Sequence, residues 1–386
     1  MTTIIVSGVI ANKYLNGGNA WVVLTWVRGL QRLGCQVHFV EQLLPQDCFD
    51  PYGRPAGFQD SINLAFFNHV TETFGLRKTA TCIFFNGPHT FGLTIAELSD
   101  LFESADLLVN ISGHLTLESL LRRIKRKAYL DLDPGYTQIW HANGDDARLP
   151  GHDLYFTLGE NVGTANCRIP TNGIDWIPMR PPVLLDEWPF VGAIKADRFT
   201  TIASWRGAFG RVQWGDKLFG QKAHEFRKFI ELPRRVPHEF EIALDIHPAE
   251  FQDWGRLLDF GWHLVNPRMV ASDPIRFREY VQASGAEFSV AQGIYVETQS
   301  GWFSDRTVRY LASGKPALVQ DTGFQSDYAS AGGLVPFRTL DGAVAGAEQI
   351  TKEYSAHCRA ARAVAEQYFD SDKVLARFLE QAGLGG

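Results

Sequence analysis

Thr3-Ile4-Ile5-Val6-Ser7-Gly8-Val9 is a short, β-branched, almost unbroken apolar run, the pattern of a strand buried on both faces of a parallel sheet. A polar loop through Asn16-Gly17-Gly18-Asn19 follows it. Val22, Trp26, Leu30 and Leu33 then recur at spacings of 4, 4 and 3, which predicts a helix, and Gly34 is placed to end it. Gln36–Val40 reads as a second strand. Strand, loop, helix and strand within about 40 residues make a β-α-β unit, so a parallel sheet covered by helices is the expected class.

The alternation continues outward. Strands are expected at Cys82–Phe85, Leu107–Ile111, Lys127–Leu132 and Leu154–Leu158, and helices at Ile95–Phe102 and Leu117–Arg126. Between about Pro181 and Arg198 the prolines and Leu184-Leu185-Asp186-Glu187-Trp188-Pro189 read as an extended connector. Strands then resume at Phe199–Ser204, Phe240–Asp245, Trp262–Val265, Ala286–Ala291 and Ala317–Asp321. Helices are expected at Ala223–Leu232, Trp254–Phe260, Pro274–Ala283 and Asp305–Ser313. Residues 343–381 read as mostly helical, with a break near Phe369-Asp370-Ser371. The reading is an α/β protein of two doubly wound, Rossmann-like domains: 1–185, a connector at 186–198, and 199–386, whose terminal helices can return to the first domain.

Composition agrees with this class. The chain has 386 residues, 45% hydrophobic and 21% charged, which excludes disordered, collagen-like and coiled-coil proteins. A net charge of −6 argues against nucleic acid or an anionic membrane as partner, while allowing a local basic pocket. No stretch approaches the ~20 apolar residues of a membrane span. Met1–Gly8 lacks a basic leader segment, so no secretory signal is expected. Five scattered cysteines without a CxxC support neither a disulfide framework nor a zinc site, and point to a reducing, cytoplasmic compartment.

In open parallel sheets, ligands bind beyond the carboxyl ends of the strands. Two such sheets suit a cleft with one substrate held by each domain. The most informative loop is Gln299-Ser300-Gly301-Trp302-Phe303-Ser304-Asp305-Arg306, which enters a short helix that stops at Gly314. Ser304 is an N-cap candidate. The helix start favours an anion, to which Arg306 adds a charge-assisted contact, so a nucleoside diphosphate suits Gly301, Ser304, Asp305 and Arg306. Asp131, Asp133 and His114 end adjacent strands of the first domain. A carboxylate or imidazole there can deprotonate an attacking hydroxyl, with Asp133 the first candidate and His114 the second. Gly17, Gly18 and Asn19 let backbone approach a phosphate or an acceptor. No G-x-G-x-x-G is present, which disfavours a nicotinamide dehydrogenase.

The loop, the short helix and Ala312-Ser313-Gly314-Lys315-Pro316 before an apolar strand resemble the donor-binding segment of nucleotide-sugar glycosyltransferases of the two-Rossmann GT-B fold. Ser300-Gly301-Trp302 is similar to the Gly-Trp of plant-type members, and Leu33-Gly34-Cys35-Gln36-Val37 to the family's opening Leu-Gly-His-x-Val. The resemblance in architecture covers nearly the whole chain; the specific motifs cover about 40 residues. It implies transfer of a hexose-type sugar from a UDP- or dTDP-sugar to an acceptor, with no cofactor and no bound metal. It also implies donor phosphates against Arg206 and Lys222, chosen among Arg206, Arg211, Lys217 and Lys222. The base would lie at the Gln292-Gly293-Ile294-Tyr295 loop, through Gln292 and Tyr295, and the sugar hydroxyls at Asp321 and Thr322. Two departures stand out. The family's Glu-x7-Glu pair falls on Gly301 and Arg309, leaving Asp305 as the nearest acid. No histidine lies between Ser7 and Ala20, where inverting plant-type members carry their base. Retention or inversion thus stays open, with His114 a candidate to hold the donor sugar if configuration is retained. A nucleotide-sugar epimerase and a non-catalytic sugar- or nucleotide-binding protein are the alternatives. A DNA glucosyltransferase of the same fold is disfavoured by the acidic balance.

Overall fold

In the computed structural model of the chain, the described residues are 1–87, 89–191, 198–207, 209–325, 328 and 332–385. Among them, eight strands form the first sheet: β1 (Thr3–Ser7), β2 (Gln36–Leu43), β3 (Ala80–Phe84), β4 (His89–Phe91), β5 (Leu107–Ile111), β6 (Lys127–Asp131), β7 (Leu154–Thr157) and β8 (Trp176–Pro178). Their order is β4-β3-β2-β1-β5-β6-β7-β8, parallel except for the edge strand β4. In the second half come β9 (Arg198–Ser204), the hairpin β10 (Val212–Trp214) and β11 (Lys217–Phe219), then β12 (Glu239–Asp245), β13 (Trp262–Val265), β14 (Ala286–Ser289), β15 (Ala317–Gln320) and β16 (Leu334–Phe337). The second sheet is all parallel, in the order β13-β12-β9-β14-β15-β16. Each sheet reverses its strand order once, beside β1 and beside β9, which is where crevices open in doubly wound folds.

The opening unit forms as its periodicity predicts. Ile4, Ile5 and Val6 have no exposed surface, and the helix Gly17–Arg32 buries Trp21, Leu24 and Val27 completely. Asn16 caps that helix by accepting from Asn19 N–H, and Gly34 leaves it with φ +83°. The expected helix at Leu117–Arg126 shrinks to Glu118–Leu121. Arg122, Arg123, Lys125 and Arg126 would stack like charges at i, i+3 and i+4, and the chain must enter β6 at Lys127. The helix expected at Ala223–Leu232 divides into Lys222–Phe226, a tight turn Arg227–Phe229, and Leu232–Arg235. Gly293–Thr298, expected as a loop, is a short helix.

The two halves are interlocked. Residues 192–197 of the expected connector lie outside the described residues, but Trp188 within it is fully buried, its ring 5.1 Å from that of Trp21. Gly17 N–H donates to Ala271 O across the seam (2.9 Å), and Trp21 Nε1 donates to Pro274 O (2.8 Å). The terminal helix Ser371–Gln381 packs on Gly17–Arg32: Phe378 meets Trp26 edge-on at 4.9 Å, Leu375 covers Gly29, and Asp372 accepts from Arg32.

The loop after β1 is held from within. Glu41, fully buried on β2, accepts from the backbone N–H groups of Ile10, Ala11 and Asn12, each at 2.8 Å. A glutamine there presents an NH2 to donors it cannot satisfy. Glu41→Gln is therefore expected to lower the unfolding free energy by about 1–3 kcal/mol, read as a lower urea midpoint at unchanged slope.

Candidate active site

A cavity of about 800 Å³ opens between the carboxyl ends of the two sheets. From the first half its wall includes Tyr14–Asn16, Gly18 and Asn19, then Leu132 and Asp133 beyond β6 and Leu158 beyond β7. From the second come the ends of β9 and β12, Val265 at the end of β13 and residues 266–268 after it, and Trp302, Asp305, Arg306 and Arg309. Its size and place fit a ligand site of a doubly wound fold.

The cationic wall is built by the helix Asp305–Ala312. Ser304 precedes it, but its hydroxyl makes no capping bond. Gly301 turns the chain with φ +75°, and a Cβ there would come within 2.9 Å of Asn161 N. Arg306 lines the cavity with its guanidinium fixed from behind: Nε donates to the buried Glu287 (2.7 Å), Nη1 to Ile202 O (2.9 Å) and Nη2 to Ser289 Oγ (2.7 Å). Arg309 also lines the cavity although only 2% exposed. Its Nη1 donates to Asp305 at 2.5 Å, its Nε has no partner, and it stands over the Phe277 ring. Lys222 is half-buried at the start of its short helix and, among the described residues, is not one of those lining the cavity. Burial and the nearby Arg306 charge push its amine down to about 7, against the pull of Glu287 and Asp305.

Asp133 lies on the other side. Its Oδ1 accepts from Tyr295 Oη of the second half at 2.7 Å, and Asp133 N–H donates to Asp131 Oδ1. Burial pushes the Asp133 carboxyl up to about 6; the Tyr295 hydrogen bond and Lys13 oppose this, while Asp131 and Asp305 add to it. Asp131 is fully buried and accepts from Thr137, Gln138 and Thr157, so it braces the strand end. His114 is half-buried outside the cavity wall, and burial with Arg148 and Lys13 pushes it down to about 4.

The remaining candidates are placed elsewhere or engaged. Arg206 pairs with Glu250 and donates to Gln221, away from the wall. Gln292 precedes the helix Gly293–Thr298, and its Oε1 is buried without a partner. Tyr295 is 3% exposed and stacks on Trp302 with centroids 4.4 Å apart, so its ring has no open face for a base. Asp321 pairs with Arg338 and caps Gly323 N–H, while Thr322 Oγ1 donates to Trp302 O. Gly17 and Gly18 serve the seam: a Cβ on Gly17 would fall 2.1 Å from Asp273 O, and one on Gly18 2.8 Å from the Phe277 ring. Asn19 donates through its side-chain amide to Val9 O. Arg309 and Lys13 carry no motif of their own, and the i, i+4 spacing of Asp305 and Arg309 is the signal that could have found their pairing; Trp302 belongs to the Ser300-Gly301-Trp302 motif, which says nothing of its stacking on Tyr295.

No family model and no curated protein matches the chain. Solved structures do. An α-glucosyltransferase in complex with UDP and a 13-mer DNA superposes with TM-score 0.62 at 11% identity, covering 99% of both chains. Sucrose-phosphate synthase from Thermosynechococcus elongatus gives 0.55 at 12% identity, covering 100% of both. The pneumococcal O-GlcNAc transferase GtfA in complex with UDP and GlcNAc gives 0.54 at 10% identity, covering 99% of this chain and 98% of the other. At such identity the likeness is one of fold, and the two-domain GT-B fold expected from the sequence is the fold found.

The Lys222 environment is directly measurable. Competitive acylation with acetic anhydride across pH is expected to give Lys222 a midpoint near 7, against about 10.4 for an ordinary lysine.

Proposed function

We propose that this protein is a nucleotide-sugar glycosyltransferase that moves a hexose-type sugar from a UDP- or dTDP-sugar to an acceptor hydroxyl. The observation that carries the reading is one cavity with Arg306, Arg309 and the start of the helix Asp305–Ala312 on one wall and Asp133 on the other. The likeness of the whole chain to enzymes solved with UDP supports it.

The donor diphosphate sits at the helix start against Arg306 and Arg309, with the Lys222 amine close to Arg306 behind the wall. These cations stabilise the charge that develops on the departing diphosphate, so the step requires no metal. With Tyr295 engaged elsewhere, the nucleotide base goes to the second-half part of the cavity wall that includes Ile246, Val265, Pro267 and Trp254. Asp133 takes the acceptor proton: the acceptor O–H bond breaks, an O–H bond forms on the carboxylate, and the acceptor oxygen bonds the anomeric carbon as the diphosphate leaves. A carboxyl pushed up to about 6 is a better base than an ordinary aspartate and is still mostly ionised at pH 7. This route inverts configuration. The acceptor enters from the first half. Five free cysteines support a reducing, cytoplasmic setting, and among the described residues no helix is long and apolar enough to cross a membrane.

Calorimetry and thermal shift with nucleoside diphosphates test the donor site. UDP or dTDP is expected to raise the melting temperature equally with and without EDTA. Lys222→Met and Arg309→Met are expected to weaken that binding about 10- to 100-fold. Because Lys222 is cationic only below about 7, affinity should fall as pH rises through that value, and Lys222→Met should flatten the profile. A protein that no nucleotide stabilises ends the proposal. Asp133→Asn is expected to reduce kcat for transfer by about 10²–10⁴ while leaving diphosphate affinity unchanged.

A further inference from the structure

Tyr295 belongs to the second half of the chain, yet its one polar atom is spent on the first. It sits on the helix Gly293–Thr298, almost wholly buried, and its hydroxyl donates to Asp133 Oδ1 at 2.7 Å. The ring is clamped by Trp302, stacked at 4.4 Å and 26°, and by Tyr136, edge-on at 6.1 Å. Trp302 reaches the same strand end: its Nε1 donates to Leu132 O at 3.2 Å, and its backbone bridges to Gly159. Two successive residues beyond β6 are thus gripped by two stacked rings from the opposite domain. Asp133 N–H is fixed in turn by Asp131. Oδ1 is taken, and Oδ2 is left as the carboxylate oxygen with no hydrogen-bond partner among the described residues.

The Tyr295 hydroxyl is aimed across the domain seam at Asp133, which among the described residues is the carboxylate of the first half that lines the cavity. We propose that Tyr295 is a positioning residue that orients the Asp133 carboxylate, keeping Oδ1 occupied and Oδ2 free to receive the acceptor proton, and so ties the readiness of the base to docking of the two domains. The inference rests on the reading of Asp133 as general base. The groups facing Asp133 are Asp131 on its own strand end, Lys13 from the first loop, Tyr136 from the next helix, Asp305 across the cavity, and Tyr295. Of these only Tyr295 hydrogen-bonds the carboxylate itself, and a donor to a carboxylate favours its ionised form. Burial and the Asp133 charge hold the Tyr295 phenol well above its ordinary value, so it stays a donor at every working pH.

Tyr295→Phe keeps the ring and removes the donor. The acidic limb of kcat/KM is expected to move up by about one pH unit. UDP affinity by calorimetry should stay unchanged. A ring-fluorinated tyrosine at position 295, a stronger donor, is expected to move the limb down. An acidic limb that stays put in both proteins, with transfer intact, overturns the inference. The carboxyl ¹³C titration of Asp133, assigned by Asp133→Asn, separates this result from failure of the enzymatic reading. If no donor is turned over but the Asp133 midpoint still rises in Tyr295→Phe, the positioning role stands without the transferase. If the midpoint does not move, the role is refuted whatever the activity. The fluorinated protein keeps every packing contact, so the test survives even if the phenylalanine variant folds poorly.

Discussion

A backbone hydrogen bond from Gly17 N–H to Ala271 O joins the two halves beside the cavity, and the cavity walls depend on the approach it records. Any side chain at position 17 would overlap the carbonyl of Asp273, and one at position 18 would strike the Phe277 ring. These glycines therefore set how closely the first helix meets the helix Pro274–Ala283. Trp21, donating to Pro274 O from the next turn, makes the same approach with a large apolar ring behind it. The returning helix Ser371–Gln381 grips the far end of the first helix, so that helix is held against the second half at its start and against the chain terminus at its end. Strand ends from separate sheets can share one cavity only under such a constraint.

Docking also determines what the charged groups can be. Around Arg306 the low-dielectric interior would penalise a bare guanidinium, and the buried Glu287, Ser289 and the Ile202 carbonyl compensate it. Those contacts hold the cation from behind while the side chain lines the cavity. Among the described residues Arg309 is tied by a single hydrogen-bonded partner, Asp305, which itself lines the cavity. A fixed cation needs little reorganisation when an anion arrives, which is the condition under which electrostatic stabilisation of a leaving group is most effective. Lys222, lacking such a buried carboxylate of its own, responds to the same surroundings by losing affinity for its proton.

What was legible in the sequence follows from the range of each force. The β-α-β unit, the strands at Leu107–Ile111 and Trp262–Val265 and the helix Pro274–Ala283 are local patterns of burial, and periodicity reports the last three to the residue and the strands of the first unit to within two or three. The start of the helix at Asp305 was legible too, because glycine, cap position and arginine lie within six residues of one another. Tyr295 was not. As part of Gln292-Gly293-Ile294-Tyr295 it reads as an aromatic beside a base, but its partner Asp133 is 162 positions away. Gly17 and Gly18 were legible as a site of close approach, but nothing local says that what approaches is another part of the same chain. Arg309 stood where the resembling family carries an acid, and only the fold shows that Asp305, one turn earlier, is its partner.

Asp131 and Asp133 show why residue type and strand position do not by themselves identify a base. Asp131 ends the apolar strand β6 and Asp133 follows it, and both are pushed upward by burial. Asp131 is surrounded by Thr137, Gln138, Thr157 and the Asp133 N–H, so each of its oxygens already accepts hydrogen bonds. Taking up a proton there would break a satisfied network, which makes Asp131 a brace. Asp133 accepts a single hydrogen bond, on one oxygen, and has a cavity beside it. The fixed negative charge of Asp131 behind it raises its proton affinity, as does Asp305 across the cavity, while Tyr295 and Lys13 keep it ionised near neutrality. A carboxylate held between those opposing influences can accept a proton and release it again, and it is the brace next to it that leaves it free to do so.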